Sequence, residues 1–338
     1  LGETFQYSNH LVAVGGFAAA REVDRTDALG PAYDKAMQAE VLDPLGMTHT
    51  TFSFEAAAAA DHAMPHGLAL EGPPLLLTLA DEGGVYAARP AGGAWSSVED
   101  MARYLRLELG KGQLDGAQVV AQDALLARRA PGIKITDKMS YGLGMFVEDL
   151  AGVTVLGHGG NNMGFSSDLW FLPDVGVGVV LLFNVQDTSD FRRVVKRRAL
   201  ELIFDAAPKA EGQLEYAVQR TKEARAEAMA RLAPVDPELG ERLAGRYADP
   251  NLGALVLAWN GSLWAEFGEY RSELLMQREG EGVTLVTKAP PLAGLPLVVT
   301  EEGGRPAMAL DADQTRYLFK AVVPQEATAQ PTSTAGGR

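Results

Sequence analysis

After Pro237 the chain breaks into short apolar and polar alternations at close spacing: Leu255 to Trp259, Leu263 to Phe267, Ser272 to Gln277, Val283 to Thr287, Leu295 to Thr300 and Tyr317 to Val322. A period of two sends successive side chains to opposite faces, and Asn260-Gly261 between the first two runs tolerates the positive φ of a tight hairpin. Strands this short cannot bury an apolar face alone. Packed so closely, they predict a small antiparallel barrel or sandwich over residues 237–323. The last residues, 324–338, hold Ala, Thr, Gln and Gly without an apolar period and are expected to be a disordered tail.

The region before Pro237 has another texture. Residues Leu11 to Leu45 follow a helical pattern that sets Tyr33, Met37 and Val41 on one face and ends at Pro44-Leu45-Gly46. Residues 52–94 carry no sustained period and several prolines, as binding loops often do. Ser96 with Glu99 has capping-box spacing and opens a helix through Leu109; another helical stretch covers Gln122 to Arg129. Runs at Tyr141–Val147, Val153–Leu156, Ser167–Phe171 and Val177–Phe183, punctuated by Gly, Asn and Pro-Asp, predict hairpin-linked antiparallel strands. The amphipathic stretch Phe191–Phe204 sets Arg192, Arg193, Lys196, Arg197 and Arg198 on what is expected to be a solvated face. Glu211–Leu232, between Pro208 and Pro234, is expected to be an interdomain helix. The fold class is therefore α/β of the α+β kind, an antiparallel sheet flanked by helices over 1–207, a linker helix over 208–236, then the barrel.

A formal charge of -14 opposes phosphate backbones and anionic lipid, which argues against nucleic acid as a partner. The longest apolar runs, such as Val175 to Val185, are broken by Gly and fall short of the ~20 residues of a transmembrane helix. With no cysteine, disulfides, thiolate nucleophiles and Cys-ligated metals are excluded. No cofactor is expected either. Gly110-Lys111-Gly112 lacks the rest of a phosphate loop, Gly142 and Gly144 lack the remainder of a dinucleotide fingerprint, and Pro65 interrupts the helical spacing of His62 and His66. The four tryptophans are expected in the core.

Two short motifs remain as candidates for chemistry: Tyr7-Ser8-Asn9 at the start of a helix and His158-Gly159-Gly160 at the start of a hairpin. A tyrosine serves as general base only when a neighbouring cation lowers its phenol, and His158 is the candidate for that effect. Two glycines after it would let a substrate lie along the strand edge, with a main-chain N–H free for an oxyanion.

Around these motifs the sequence resembles the serine β-lactamase and penicillin-binding-protein-like superfamily, in its class C and esterase branch. The resemblance runs through Tyr7-Ser8-Asn9, Pro44-Leu45-Gly46-Met47, Pro90-Ala91-Gly92-Gly93 with Trp95-Ser96-Ser97, Tyr141-Gly142-Leu143-Gly144, Gly157-His158-Gly159-Gly160, Gly164-Phe165-Ser166-Ser167 and Phe171-Leu172-Pro173. It implies a serine hydrolase working through an acyl-enzyme on a small ester, amide or peptide. Tyr7 resembles the general acid/base, Asn9 the amide that holds substrate, and His158 the cation of the third motif. Gly159 and Gly160 would border the substrate, and the N–H of Asn161 would form half of the oxyanion hole. Histidine in place of the commoner lysine favours an esterase or peptidase over a β-lactamase. The Ser-x-x-Lys motif that supplies the nucleophile is missing, since no Ser or Thr has a lysine three positions on. The resemblance places it upstream of Leu1, together with the first strands and the nucleophile helix, so an upstream fragment of the same protein is an expected partner. A non-catalytic peptide-binding protein on the same fold is the alternative. By the same resemblance, residues 237–323 look like a lipocalin-like barrel, and a periplasmic or secreted location is favoured.

Overall fold

The computed structural model describes residues 3–312 and 315–322, so the expected tail at 324–338 lies outside the described residues. The chain forms two compact units, Leu1–Lys222 and Glu223–Arg338.

In the first unit, helix α1 (Asn9–Val23) begins where the Ser8 hydroxyl accepts the N–H of Leu11 at 3.3 Å. It stops at Asp24 instead of continuing toward Leu45. The Asp24 carboxylate takes the N–H groups of Thr26 at 2.9 Å and Asp27 at 3.2 Å, a local turn that competes with helix, and α2 (Leu29–Met37) starts afresh. The single helical run expected over 11–45 is thus broken by one side chain. The two helices bury Ala20, Tyr33 and Ala36 with Leu42, Leu45, Phe52 and Leu107. After α3 (Phe54–Ala59), α4 (Val98–Leu109) is capped by Ser97, which accepts the Asp100 N–H at 3.2 Å. Ser96, the expected cap, bonds the Thr50 hydroxyl at 2.8 Å instead. Glu108 near the end of α4 is fully buried between Arg129, at 2.9 Å, and Arg128, both just beyond or ending α5 (Gln122–Arg128).

Six antiparallel strands follow: β1 (Ile133–Thr136), β2 (Met139–Tyr141), β3 (Phe146–Leu150), β4 (Val153–Asn161), β5 (Ser166–Leu172) and β6 (Val177–Phe183). They lie in the order β6-β5-β4-β3-β2-β1, each beside its sequence neighbour, as hairpin linkage requires. The expected strand 141–147 is divided by a turn in which the Gly142 N–H bonds the Met145 carbonyl at 2.9 Å. Alternation sends Leu156, Phe171 and Val180 toward Leu105 and Leu109 of α4, and Val155, Trp170 and Val179 toward Ala199, Leu200 and Ile203 of α6 (Ser189–Ile203). The sheet is therefore covered by helix on both faces.

Helix α7 (Ala210–Ala230) spans the division between the units. The second unit holds α8 (Pro237–Leu243) and strands β7 (Gly245–Asp249), β8 (Gly253–Trp259), β9 (Leu263–Phe267), β10 (Tyr270–Glu279), β11 (Gly282–Thr287), β12 (Pro296–Glu302), β13 (Arg305–Ala312) and β14 (Thr315–Ala321). They pair in the ring β10-β9-β8-β7-β14-β13-β12-β11, which closes on β10, so the barrel leaves no edge. Inward residues Leu255, Leu257, Leu263, Leu274, Leu285, Leu297, Met308 and Phe319 fill it. Gly240 of α8 must be glycine, because a Cβ there would meet the Trp259 ring at 2.1 Å. Strand β13 escapes the sequence pattern: Ala307, Met308 and Ala309 are all buried in succession, which erases the alternation.

Candidate functional site

Strand β4 carries two neighbours for only part of its length. It pairs with β3 from Val153 to Gly157, and with β5 from Leu156 to Asn161. From His158 onward β3 has ended, so one edge of the segment 158–161 has no strand partner among the described residues. Tyr7 and Asn9, at the start of α1, lie with His158, Gly159, Gly160 and Asn161 in the lining of one cleft of about 1420 Å³. The structure thus brings all six expected residues together.

The His158 ring packs against those of Tyr7, Phe146 and Tyr141. Its centroid is 6.0 Å from Tyr7 and 5.1 Å from Phe146, each tilted by 32°. Its Nδ1 meets the carbonyl oxygen of Gly159 at 2.6 Å and its Nε2 meets the Tyr141 hydroxyl at 3.1 Å. Tyr7 and His158 therefore meet ring to ring, and the side chain that hydrogen-bonds the imidazole is a second tyrosine. Partial burial pushes the Tyr7 phenol above its ordinary value. This differs from the expected lowering by His158: desolvation penalises the phenolate. Ser8, between the two candidates, is occupied as the cap of α1.

Each of the two glycines has a close neighbour on its own face of the strand. A Cβ on Gly159 would come within 2.5 Å of the Arg192 guanidinium, and one on Gly160 within 2.6 Å of the Ser167 hydroxyl. Arg192 donates to the carbonyl oxygens of Gly160, at 3.3 Å, and Ser167, so it braces the edge from the α6 side. The basic cluster of α6 is accordingly not a simple solvated face. Lys196 pairs with Glu148 at 2.6 Å, and Arg197 with the buried Glu201 at 3.1 Å. Asn161 and Asp187 hold each other reciprocally, the Asn161 amide donating at 3.1 Å and the Asp187 N–H returning a bond at 2.7 Å. This pins the end of β4.

Residues 52–94 supply much of the opposite wall. Trp95, expected in the core, is half-buried and lines the cleft, stacked edge-on with Phe165 at 5.4 Å and Phe54 at 6.4 Å. Asn162 donates to the Gly92 carbonyl at 2.9 Å, and the buried Asp100 takes the His49 N–H at 2.7 Å and the Thr50 hydroxyl at 2.8 Å. Sequence reasoning missed two groups beside the imidazole. Tyr141 sits in the quoted Tyr-Gly-Leu-Gly block, which was a signal. Asp168 had none; it lines the cleft opposite Gly159, and burial pushes its carboxyl up against the charges of Arg192, Lys196 and His158.

A sequence profile described as Beta-lactamase matches residues 1–203, the stretch that carries both motifs and the sheet. The chain belongs to the beta-lactamase family. Its fold is similar to that of an octameric penicillin-binding-protein homologue from Pyrococcus abyssi, at 18% identity and a TM-score of 0.51, over 94% of this chain and 66% of that one. The chain thus spans just under two thirds of that homologue's length. Lower similarity is found to SurE, at 20% identity and a TM-score of 0.49 over 94% and 69% of the two chains. A D-stereospecific amidohydrolase from a Streptomyces species gives 24% identity and a TM-score of 0.43 over 56% and 53%. No curated protein matches the sequence. Among the described residues no helix is long and apolar enough to cross a membrane.

Proposed function

We propose that the cleft is the acyl-transfer site of a serine hydrolase acting through an acyl-enzyme on a small ester, amide or peptide, with the Ser-x-x-Lys pair supplied by a segment outside residues 1–338. The carrying observation is the convergence of Tyr7 and Asn9 from one helix start with His158 from the free edge of β4 in a single cleft. In this reading the open edge binds the substrate's main chain, the Asn161 N–H stabilises the oxyanion, and Asn9 holds the substrate amide. Tyr7 relays the proton. Because a phenol is protonated at neutral pH and partial burial raises its pKa further, the use of Tyr7 as a base requires a cation close by, and the lysine of the missing pair fills that role. Histidine at position 158 in place of an ammonium supports ester or peptide substrates.

The test is kinetic, on the protein assembled with its nucleophile segment. His158→Gln lowers kcat/KM by ~10² or more while the thermal melt stays unchanged. Full activity in that variant removes His158 from the reaction. Peptide binding without turnover in the unaltered assembly would favour the non-catalytic alternative.

A further inference from the structure

The hydrogen-bond pattern around His158 fixes which nitrogen carries the proton. A carbonyl oxygen only accepts, so the contact with the Gly159 oxygen at 2.6 Å places the proton on Nδ1. In the neutral ring Nε2 is then a lone pair, and it accepts the hydroxyl proton of Tyr141 across 3.1 Å. We propose that Tyr141 is a positioning residue of this site: its hydroxyl holds His158 in the Nδ1-protonated tautomer and presents that ring to Tyr7. The catalytic consequence rests on the serine hydrolase reading; the tautomer does not.

Tyr141 is built to stay in place. Its carbonyl accepts the Gly132 N–H at 3.0 Å, and the next two residues are anchored in turn: the Gly142 N–H bonds Met145 at 2.9 Å and the Leu143 N–H bonds Arg128 at 2.9 Å. Gly142 permits this approach, since a Cβ there would lie 2.3 Å from the Arg128 carbonyl. The Tyr141 ring is held by Phe146 at 4.9 Å, Phe5 at 5.5 Å and Tyr7 at 6.2 Å. Burial, and then the proximity of Tyr7, push its phenol above the ordinary value, so at neutral pH the hydroxyl keeps the proton it donates. The titratable groups around the imidazole are Tyr7, Tyr141 and Asp168, with Arg192 and Lys196 of α6 acting on Asp168. None of the others hydrogen-bonds Nε2.

The experiment is long-range proton–nitrogen NMR on residues 1–338 labelled at histidine nitrogen. With five histidines the spectrum is sparse, and loss of one ring system in His158→Gln assigns His158. The expected spectrum of the neutral ring shows a protonated Nδ1 and an accepting Nε2. In Tyr141→Phe the Nε2-protonated form, favoured by free imidazole side chains, gains population. A wild-type His158 protonated on Nε2 overturns the proposal without need of the variant, and so does an unchanged His158 signal in a folded Tyr141→Phe. In the assembled protein the same substitution lowers kcat ~10–100-fold with little change in KM, by analogy with the loss of a hydrogen-bond partner that orients a metal-ligating histidine. A tautomer shift without an effect on turnover would leave the proton placement standing and count against the hydrolase reading. An unchanged tautomer in Tyr141→Phe, with His158→Gln still impairing turnover, would overturn the role of Tyr141 and leave the hydrolase reading standing.

Discussion

Tyr33 and Tyr104 both have phenols pushed up to about 12, mainly by burial and secondarily by the nearby carboxylates of Asp34 and Glu108. A raised phenol pKa means that the folded chain holds its proton more tightly than the unfolded chain does. The stability from this source is complete below pH ~10 and is lost as pH rises toward 12. Urea midpoints should therefore fall steeply above pH 10, and Tyr104→Phe should remove part of the slope; a flat midpoint through pH 11 would contradict this. At the same scale, the sequence revealed Tyr7, Asn9 and the His-Gly-Gly run because their chemistry is unusual at those spacings. It concealed what lies beside the glycines, since Arg192 approaches Gly159 from a helix more than thirty positions away and Ser167 faces Gly160 from the next strand. Tyr141 was visible only as part of a block, because its role is created by the hairpin that swings it onto His158.

Strands with clean punctuation were legible: Val177–Phe183 has the bounds that its apolar run and the flanking Pro-Asp and Asn predict. Helix ends were less so, because Asp24 and Ser97 act through side-chain bonds to particular N–H groups, and neighbouring residues look equally suitable. Strand β6 also carries a liability. It is paired only with β5 among the described strands, and it presents Val, Leu and Phe, with Leu182 well exposed. Such an edge invites another strand. The isolated chain should self-associate, and Leu182→Lys should shift it toward monomer in sedimentation velocity. Equal association of the variant would show that the edge is not the contact.

For the whole molecule, the change of texture after Pro237 announced a small antiparallel β unit, while two of its strands, β7 and β13, were not among the runs read from the sequence, β13 because it is buried without alternation. The family match and the geometry bear on different claims: the match covers residues 1–203, and the cleft shows what those residues can hold. What they do not include is a Ser-x-x-Lys pair. The central claim is that this cleft completes a nucleophile carried elsewhere. Its most direct test is fluorophosphonate labelling of residues 1–338 alone and after addition of the segment bearing Ser-x-x-Lys, with the labelled peptide located by mass spectrometry. The account predicts no label on the lone chain, and label on the added segment's serine that weakens in Tyr7→Phe and His158→Gln. Stoichiometric labelling of the lone chain, on Ser8 or any other serine within it, would contradict the account.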